Sequence, residues 1–520
     1  MHTSARAVIA VVSLVIAASA VIGGQGRSPH PAIDLSERPA FPLRAHVEAA
    51  DIAAGRYTFS RMFEIGRLLF HATFNGLDGV GVAVRPDGSR VTRFAPIGPQ
   101  GPTAQGCAEC HNAPAIASGG LAHSSVARDV AGKGLAPFNV RAVTSLLGDG
   151  LLQLLAQEMT EALQATRDAA TAAARAAPGT DVTRPLVAKS TSFGSIIVKA
   201  TADGQVAIDV SRVEGVDPDL VVRPMGWKGD APLVRNIAAG ASTFGMGMVA
   251  EEMGWKIPGG DKNGDPDGDG VVRELSVGDV TAMTVYTAAL ETPTALARLA
   301  ALGYARPLTS AETAQIATGR AAFDAIGCAT CHTPEMRLTN TRFEEPTLRG
   351  NGNYYDRALA ARDPGYDLKR PFAFDLLRDA KPPRVEPAAG GGATVRLYGD
   401  LKRHAMGRLL ADPGGPDSPD MADGESLKYD GKPVMIPADQ FLTAELWGVG
   451  NTGPWLHDNR AGTLLEAILL HGEDAPPAPG GPGRSEAQEA RDAFKAQPPA
   501  GQAAVVAFLK SLRTFSPRLR

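Results

Sequence analysis

All four cysteines of this 520-residue chain fall in two copies of C-x-x-C-H, Cys107-Ala108-Glu109-Cys110-His111 and Cys328-Ala329-Thr330-Cys331-His332. No cysteine is left over for a disulfide framework, so neither half can be a small disulfide-stapled module. Two thiols about one helical turn apart can each add to a porphyrin vinyl group, and the histidine that follows then offers a ring nitrogen to the iron. The spacing therefore predicts two covalently bound haem c groups, with His111 and His332 as proximal ligands. A zinc or thiol-redox site could use the same cysteines, but the adjacent histidine in both copies points to haem.

The charge balance excludes one broad class. With 52 Lys+Arg against 56 Asp+Glu the formal net charge is −4, which argues against a nucleic-acid binder working by phosphate neutralisation. At 44% hydrophobic and 21% charged residues, a sizeable core is possible. Arg6 precedes an unbroken run of small and apolar residues from Ala7 to Ile22, and Ala18-Ser19-Ala20 suits a signal peptidase. Residues 1–26 read as a signal peptide, because a run of about 16 residues is short of the ~20 that span a bilayer. The mature chain is expected in the periplasm or outside the cell, with no stable membrane span.

A phrase upstream of each motif is repeated. Gly66-Arg67-Leu68-Leu69-Phe70 precedes the first and Gly319-Arg320-Ala321-Ala322-Phe323 the second, which suggests two related halves. The expected fold is mainly α: two cytochrome-c-like domains, residues 27–303 and 304–520, the first with a small helical and β insertion. The insertion comprises an Ala-rich helix from about Leu151 to Ala177 and β-leaning residues from Ser192 to Val210. Further helices are expected over Asp279 to Leu302 and near Gln502 to Leu512, with Pro307 to Ser310 as boundary and N-cap. Beyond the proximal pair, His30, His46, His71, His123, His404, His457 and His471 are available to an iron, as are Met336 and Met406.

The chain resembles the bacterial di-haem oxidoreductases of peroxidase type, relatives of the di-haem cytochrome c peroxidases and of the quinone-cofactor maturation enzyme MauG. The resemblance runs from about Gly66 to Leu512. It rests on Phe74 to Gly79, on the first haem motif with Asn112 and Pro114, on Gly226-Trp227-Lys228-Gly229, on Asp400 to Gly407, and on LWGVGNTGPWLHDNRAGTLLEAILLHGE from Leu446 to Glu473. It implies His471 as sixth ligand of the C-terminal haem, where better-known relatives carry Met or Tyr, making that haem bis-histidine. It also implies a reactive N-terminal haem, Trp227 as relay between the haems, and Glu252 as the distal acid/base handling peroxide protons. A competing alignment puts Gly245-Met246-Gly247 at that place. Asn236 falls near the family's distal amide, and His123 near a displaceable ligand.

The implied activity is that of a peroxidase-type oxidoreductase receiving electrons from a small cytochrome c or cupredoxin. Two rivals differ in class: an electron carrier with both irons six-coordinate, and an oxygenase related to the di-haem rubber oxygenases, with an apolar distal pocket using Phe244. Separately, DKNGDPDGDG (261–270) has the composition of a calcium loop, with Asp265, Asp267 and Asp269 as ligands, although its register departs from the EF-hand.

Overall fold

The computed structural model describes residues 45–80, 104–121, 123–124, 139–255, 264–266, 270–350, 352–416, 427–475 and 483–515. Helix α1 (Phe59–His71) begins where the Thr58 hydroxyl accepts from the Arg61 N–H at 3.3 Å. It buries Met62, Gly66, Leu69 and Phe70, the spacing of a single apolar stripe. Helix α2 (Asp149–Ala176) follows the first motif and leads into an antiparallel sheet of β1 (Asp181–Ala188), β2 (Thr191–Ala200) and β3 (Val206–Asp209). Between β1 and β2 the two turn residues Lys189 and Ser190 both have positive φ, 47° and 70°, the twist that a two-residue hairpin needs. Phe193, Ile196, Val198 and Ala200 of β2 are buried, and α2 packs on β1 and β2.

Helix α3 (Val234–Gly240) runs straight into a π-helical turn, Ala241–Met246. Helix α4 (Val277–Ala288) starts at a capping box, Ser276 with Asp279, which satisfies two N-terminal donors. Its residues are all buried, because α1, α2 and α3 pack around it. Helix α5 (Ser310–Ala325) opens with a second capping box, Thr309 with Glu312. Near the C-terminus lie α6 (Leu464–Leu469), α7 (Gln488–Lys495) and α8 (Pro499–Lys510).

The repeated phrase has a structural counterpart. A Cβ on Gly66 would lie 2.0 Å from the Ala282 carbonyl oxygen of α4, and one on Gly319 would lie 1.9 Å from the Ala504 carbonyl oxygen of α8. In each pair the glycine lets two helix backbones cross in contact. The same register sets Phe70 against Tyr286, with ring centres 5.2 Å apart, and Phe323 against Phe508 at 5.3 Å.

The mainly α expectation is overturned. The chain is 36% helical with 16% strand, and among the described residues the strands form seven small sheets. Physically, the Gly- and Pro-rich connections stop helices early, and the freed segments satisfy their backbone groups by pairing over two to four residues. Thus 336–338 pairs with 393–395, 342–345 with 372–375, and 403–405 with 440–442. The helix expected over Asp279 to Leu302 is broken at Glu291-Thr292-Pro293, resuming as a short helix, Leu296–Ala301. The boundary expected at 303/304 falls in an irregular connection, and a strand pair of 294–295 with 512–513 spans it.

Gly319→Ala should destabilise the protein by about 3 kcal/mol, the upper end of what overpacking costs, because the clashing atom is backbone. Chemical denaturation compared with an exposed control such as Gly179→Ala, which meets nothing within 4 Å but has positive φ, would check this. A loss no larger than the control's would remove the helix crossing as its cause.

Candidate functional site

The first motif forms a short helical turn, Cys107–Cys110, entered from an extended Gly106. His111 follows it, and its Nδ1 lies 3.0 Å from the Thr144 carbonyl oxygen. Phe70, delivered by the α1–α4 crossing, lies 6.3 Å from the His111 ring centre. The Cys107 sulfur touches the Met246 sulfur at 4.0 Å, which places the π-helical turn against this site. Burial pushes the Cys107 thiol up to about 12, and pushes His111 down to about 4 against the pull of its Thr144 hydrogen bond.

The second site repeats this layout. Cys328–Thr330 makes a single 3₁₀ turn after Gly327, whose φ is 93°. His332 Nδ1 lies 3.1 Å from the Tyr398 carbonyl oxygen, and Phe323 lies 6.3 Å from the His332 ring. Burial pushes Cys328 up to about 11. Thiols held neutral in this way lack the electropositive surroundings of a thiolate redox or zinc site.

One element distinguishes the two sites. His471, just past the end of α6, lies with its ring centre 6.4 Å from that of His332. Its Nδ1 is 2.7 Å from the Ala467 carbonyl oxygen, so it caps the helix and has Nε2 left available. A metal ion held between two imidazole Nε2 atoms at bonds of about 2 Å puts the ring centres roughly 6.4 Å apart. Burial, and then repulsion from His471, pushes His332 down to about 4, and burial lowers His471 as well. Both rings are therefore neutral at pH 7, with lone pairs free for a metal. A mostly apolar cavity of about 570 Å³ adjoins them and is lined by Cys328, Cys331, His332 and His471. These residues fit a covalently attached haem. At the first site, among the described residues, the ring that neighbours His111 is Phe70.

The cavity reaches toward the first site. Its wall includes Trp227 and the segment Ala142 to Leu147. The Trp227 indole N–H donates to the Ala142 carbonyl at 2.8 Å, two residues from the carbonyl that orients His111. The adjoining Lys228 is fully buried and donates to the Pro437 and Ala438 carbonyls at 2.9 and 2.8 Å. It also pairs with Asp412 at 2.9 Å and lies 4.1 Å over Phe441, on which His457 stacks at 4.2 Å.

The remaining candidates fall elsewhere. Glu252 sits in a buried network: Arg235 donates to both its oxygens, and the Tyr355 hydroxyl donates to Oε1 at 2.5 Å. Arg235 also donates to Glu345 at 3.0 Å, which Tyr366 joins. Asn236 accepts from the Leu233 N–H at 3.3 Å inside α3. His404 is clamped between Asp400 at 2.9 Å and Glu486 at 2.6 Å. Burial opposes its charge, yet those bonds and one to Cys331 push it up to about 11, and both its ring nitrogens are engaged by carboxylates. Met406 lines the cavity, whereas Met336 is buried in a strand. His123 lies on a two-residue strand whose side chains are outside the described residues, as are Asp267 and Asp269. Asp265 accepts from the Gly270 N–H at 3.0 Å.

No family model and no curated protein matches the chain. Among solved structures it matches the crystal structure of a MauG-like protein associated with microbial copper homeostasis. The identity is 14% over 61% of this chain and 78% of that one, with a TM-score of 0.28. A likeness at that level carries no argument, and the function is read from the residues themselves. Among the described residues no helix is long and apolar enough to cross a membrane.

Glu252→Gln separates two roles. As Arg235's buried counter-ion, Glu252 should cost about 3–5 kcal/mol when its charge is removed. As a distal acid/base it should instead slow peroxide consumption by roughly 10²–10⁴-fold at near-constant stability. Denaturant unfolding beside peroxide kinetics would tell them apart, and the geometry favours the first outcome.

Proposed function

We propose that the chain is an exported di-haem c-type oxidoreductase of peroxidase type. Its first motif site would meet a small oxidant such as hydrogen peroxide, and its second would pass electrons. The observation that carries this reading is the His332–His471 pair, at 6.4 Å and with both Nδ1 atoms already engaged. It sets a closed bis-histidine site against a first site with no second imidazole among the described residues.

When bound, haem c supplies iron that changes by one electron at a time, and two such groups match an oxidant that takes two. The chain's own part is to hold and insulate. Cys107, Cys110, Cys328 and Cys331 would carry the thioether bonds, and His111, His332 and His471 would offer their Nε2 atoms to the iron. The carbonyls of Thr144, Tyr398 and Ala467 hold the Nδ1 protons and so keep Nε2 of each ring deprotonated. Trp227, fixed by the Ala142 carbonyl, lies on a short path from the second site's cavity to the segment that orients His111, and we assign it the relay of electrons. Its neighbour Lys228 pins the loop at 437–438 and stiffens that wall of the cavity.

The same reading takes residues 1–26 as a leader and places the protein in the periplasm or outside the cell. It expects a small cytochrome c or cupredoxin as electron donor. Calcium forms no part of it. One observation favours a second reading as an oxygenase: Glu252 is committed to Arg235, while Phe244 lies in the π-helical turn whose Met246 touches Cys107.

Protein made in a host that matures c-type cytochromes should keep two haems through denaturation, seen by mass and by the reduced pyridine spectrum. Replacing Cys107 and Cys110 by Ala should leave one. His471→Ala should turn one low-spin signal in electron paramagnetic resonance high-spin and leave the other unchanged. Zinc in place of haem would sink the reading, and an unchanged spectrum would remove His471 as a ligand. Reaction with dioxygen but not with peroxide would transfer the assignment to the oxygenase.

A further inference from the structure

Two carboxylates on the wall of the shared cavity play no part in the proposed function. Asp149 is the first residue of α2 and only 6% exposed, and Glu445 precedes the stretch that supports His332 through Tyr398. Neither has a hydrogen-bonding side-chain partner among the described residues, and Glu445 Oε1 is buried without any. Several other buried acids meet a cation: Asp217 meets Arg223 and Arg403, Asp412 meets Arg141 and Lys228, and Glu252 meets Arg235. An isolated buried carboxylate pays a large desolvation cost and escapes it by staying protonated.

The other charged or titratable groups on this cavity are already engaged. His404 is held by Asp400 and Glu486, Arg491 by Asp474 and Asp492, and His457 stacks on Phe441. Glu489 is exposed. His332, His471 and the two cysteines belong to the motif site. Burial, and next the charge of Glu445, raise Asp149 well above the usual carboxylate range, and burial pushes Glu445 up to about 7. No cation among the described residues offsets either effect.

We propose that Asp149 and Glu445 are both held protonated on the wall of the cavity between the two motif sites, forming an internal proton store that empties and fills as the charge there changes. The protonation stands on the chain alone, and the coupling to charge rests on the di-haem reading. The exchange is balanced simply: a proton enters from bulk water when an electron from the donor protein arrives, and returns to water when the electron leaves.

Infrared spectra of the oxidised holoprotein test the protonation. A protonated-carboxyl band should persist to about pH 6, lose its Glu445 part with a midpoint near 7 and keep its Asp149 part to higher pH, and Asp149→Asn and Glu445→Gln should each diminish it. Stability gives a second measure. The unfolded chain loses these protons near the usual carboxyl pKa of about 4, whereas in the folded chain Glu445 keeps its proton to about 7 and Asp149 beyond it, so the pair destabilises the fold progressively as pH rises through the window from about 4 to 7. The amide variants should therefore melt higher than wild type above that window and near its temperature below it. Equal shifts at both ends, or a wild-type protein without the band, would overturn the proposal; the latter needs no variant to fold. A calcium-dependent rise in wild-type melting temperature that Glu445→Gln abolishes would also overturn it, since the pair would then hold a cation. For the coupling, the potential of the second haem should fall with rising pH in wild type and less so in Glu445→Gln. A slope unaffected by the variant would sink that part. Protein that retains the band but lacks haem would refute the di-haem reading while supporting the protonated carboxyls.

Discussion

Three hydrogen bonds from imidazole to backbone decide what this protein can hold. His111, His332 and His471 each place Nδ1 against a carbonyl oxygen, at 3.0, 3.1 and 2.7 Å. A carbonyl only accepts, so Nδ1 must carry the hydrogen and Nε2 the lone pair. The chemistry of the site is thus set by where three stretches of main chain run. The Tyr398 stretch is itself held in place: the Leu446 N–H donates to the Leu397 carbonyl at 3.0 Å and the Gly399 N–H to the Thr333 carbonyl at 3.0 Å. The Thr144 stretch is anchored by the buried Leu146 and Leu147 and by the start of α2.

The helix crossings supply the other half of the frame. A glycine at the contact brings two backbones together, and one turn later a phenylalanine reaches the motif histidine. Phe70 and Phe323 both stand 6.3 Å from their histidines with the same 46° tilt. The tilt matches because the same spacing along α1 and α5 carries the glycine and the aromatic ring to the same relative place. Where the halves diverge is beyond the crossing. The second half adds α6 and His471, whereas the first adds α3, its π-helical turn and the long insertion.

How much was legible in the sequence depends on how local each signal is. The C-x-x-C-H spacing, the Thr309 and Ser310 start of α5, and the Gly-Arg-x-x-Phe repeat are short-range patterns, and each marks a real feature. The long Ala-rich helix appears within two residues of its expected ends, since propensity summed over many residues outweighs single errors. The mainly α expectation failed because most strands here are two to four residues long and pair across large sequence separations, as 403–405 does with 440–442. Such strands have too few residues for alternation to show. Tyr398 and Thr144 gave no signal because their main chain, not their side chains, acts. Arg235 was invisible for a different reason: its partners Glu252 and Glu345 lie 17 and 110 residues away.

The buried charges sort by what each holds. Replacing a buried ion pair by apolar residues is often neutral or better for stability, so such pairs are poorly explained as a source of stability alone. Here Lys228 ties the loop at 437–438 to the residue next to Trp227, Arg403 ties Asp217 to the strand that carries His404, and Arg235 joins α3 to the segments bearing Glu252 and Glu345. Each fixes a segment that borders a motif site, in a geometry that apolar contacts would define less sharply. Asp149 and Glu445 form the contrast, because they fix nothing and have no cation beside them among the described residues. A folded protein keeps such a pair only in protonated form or with something bound, and the cavity they face lies between the two sites where charge would change.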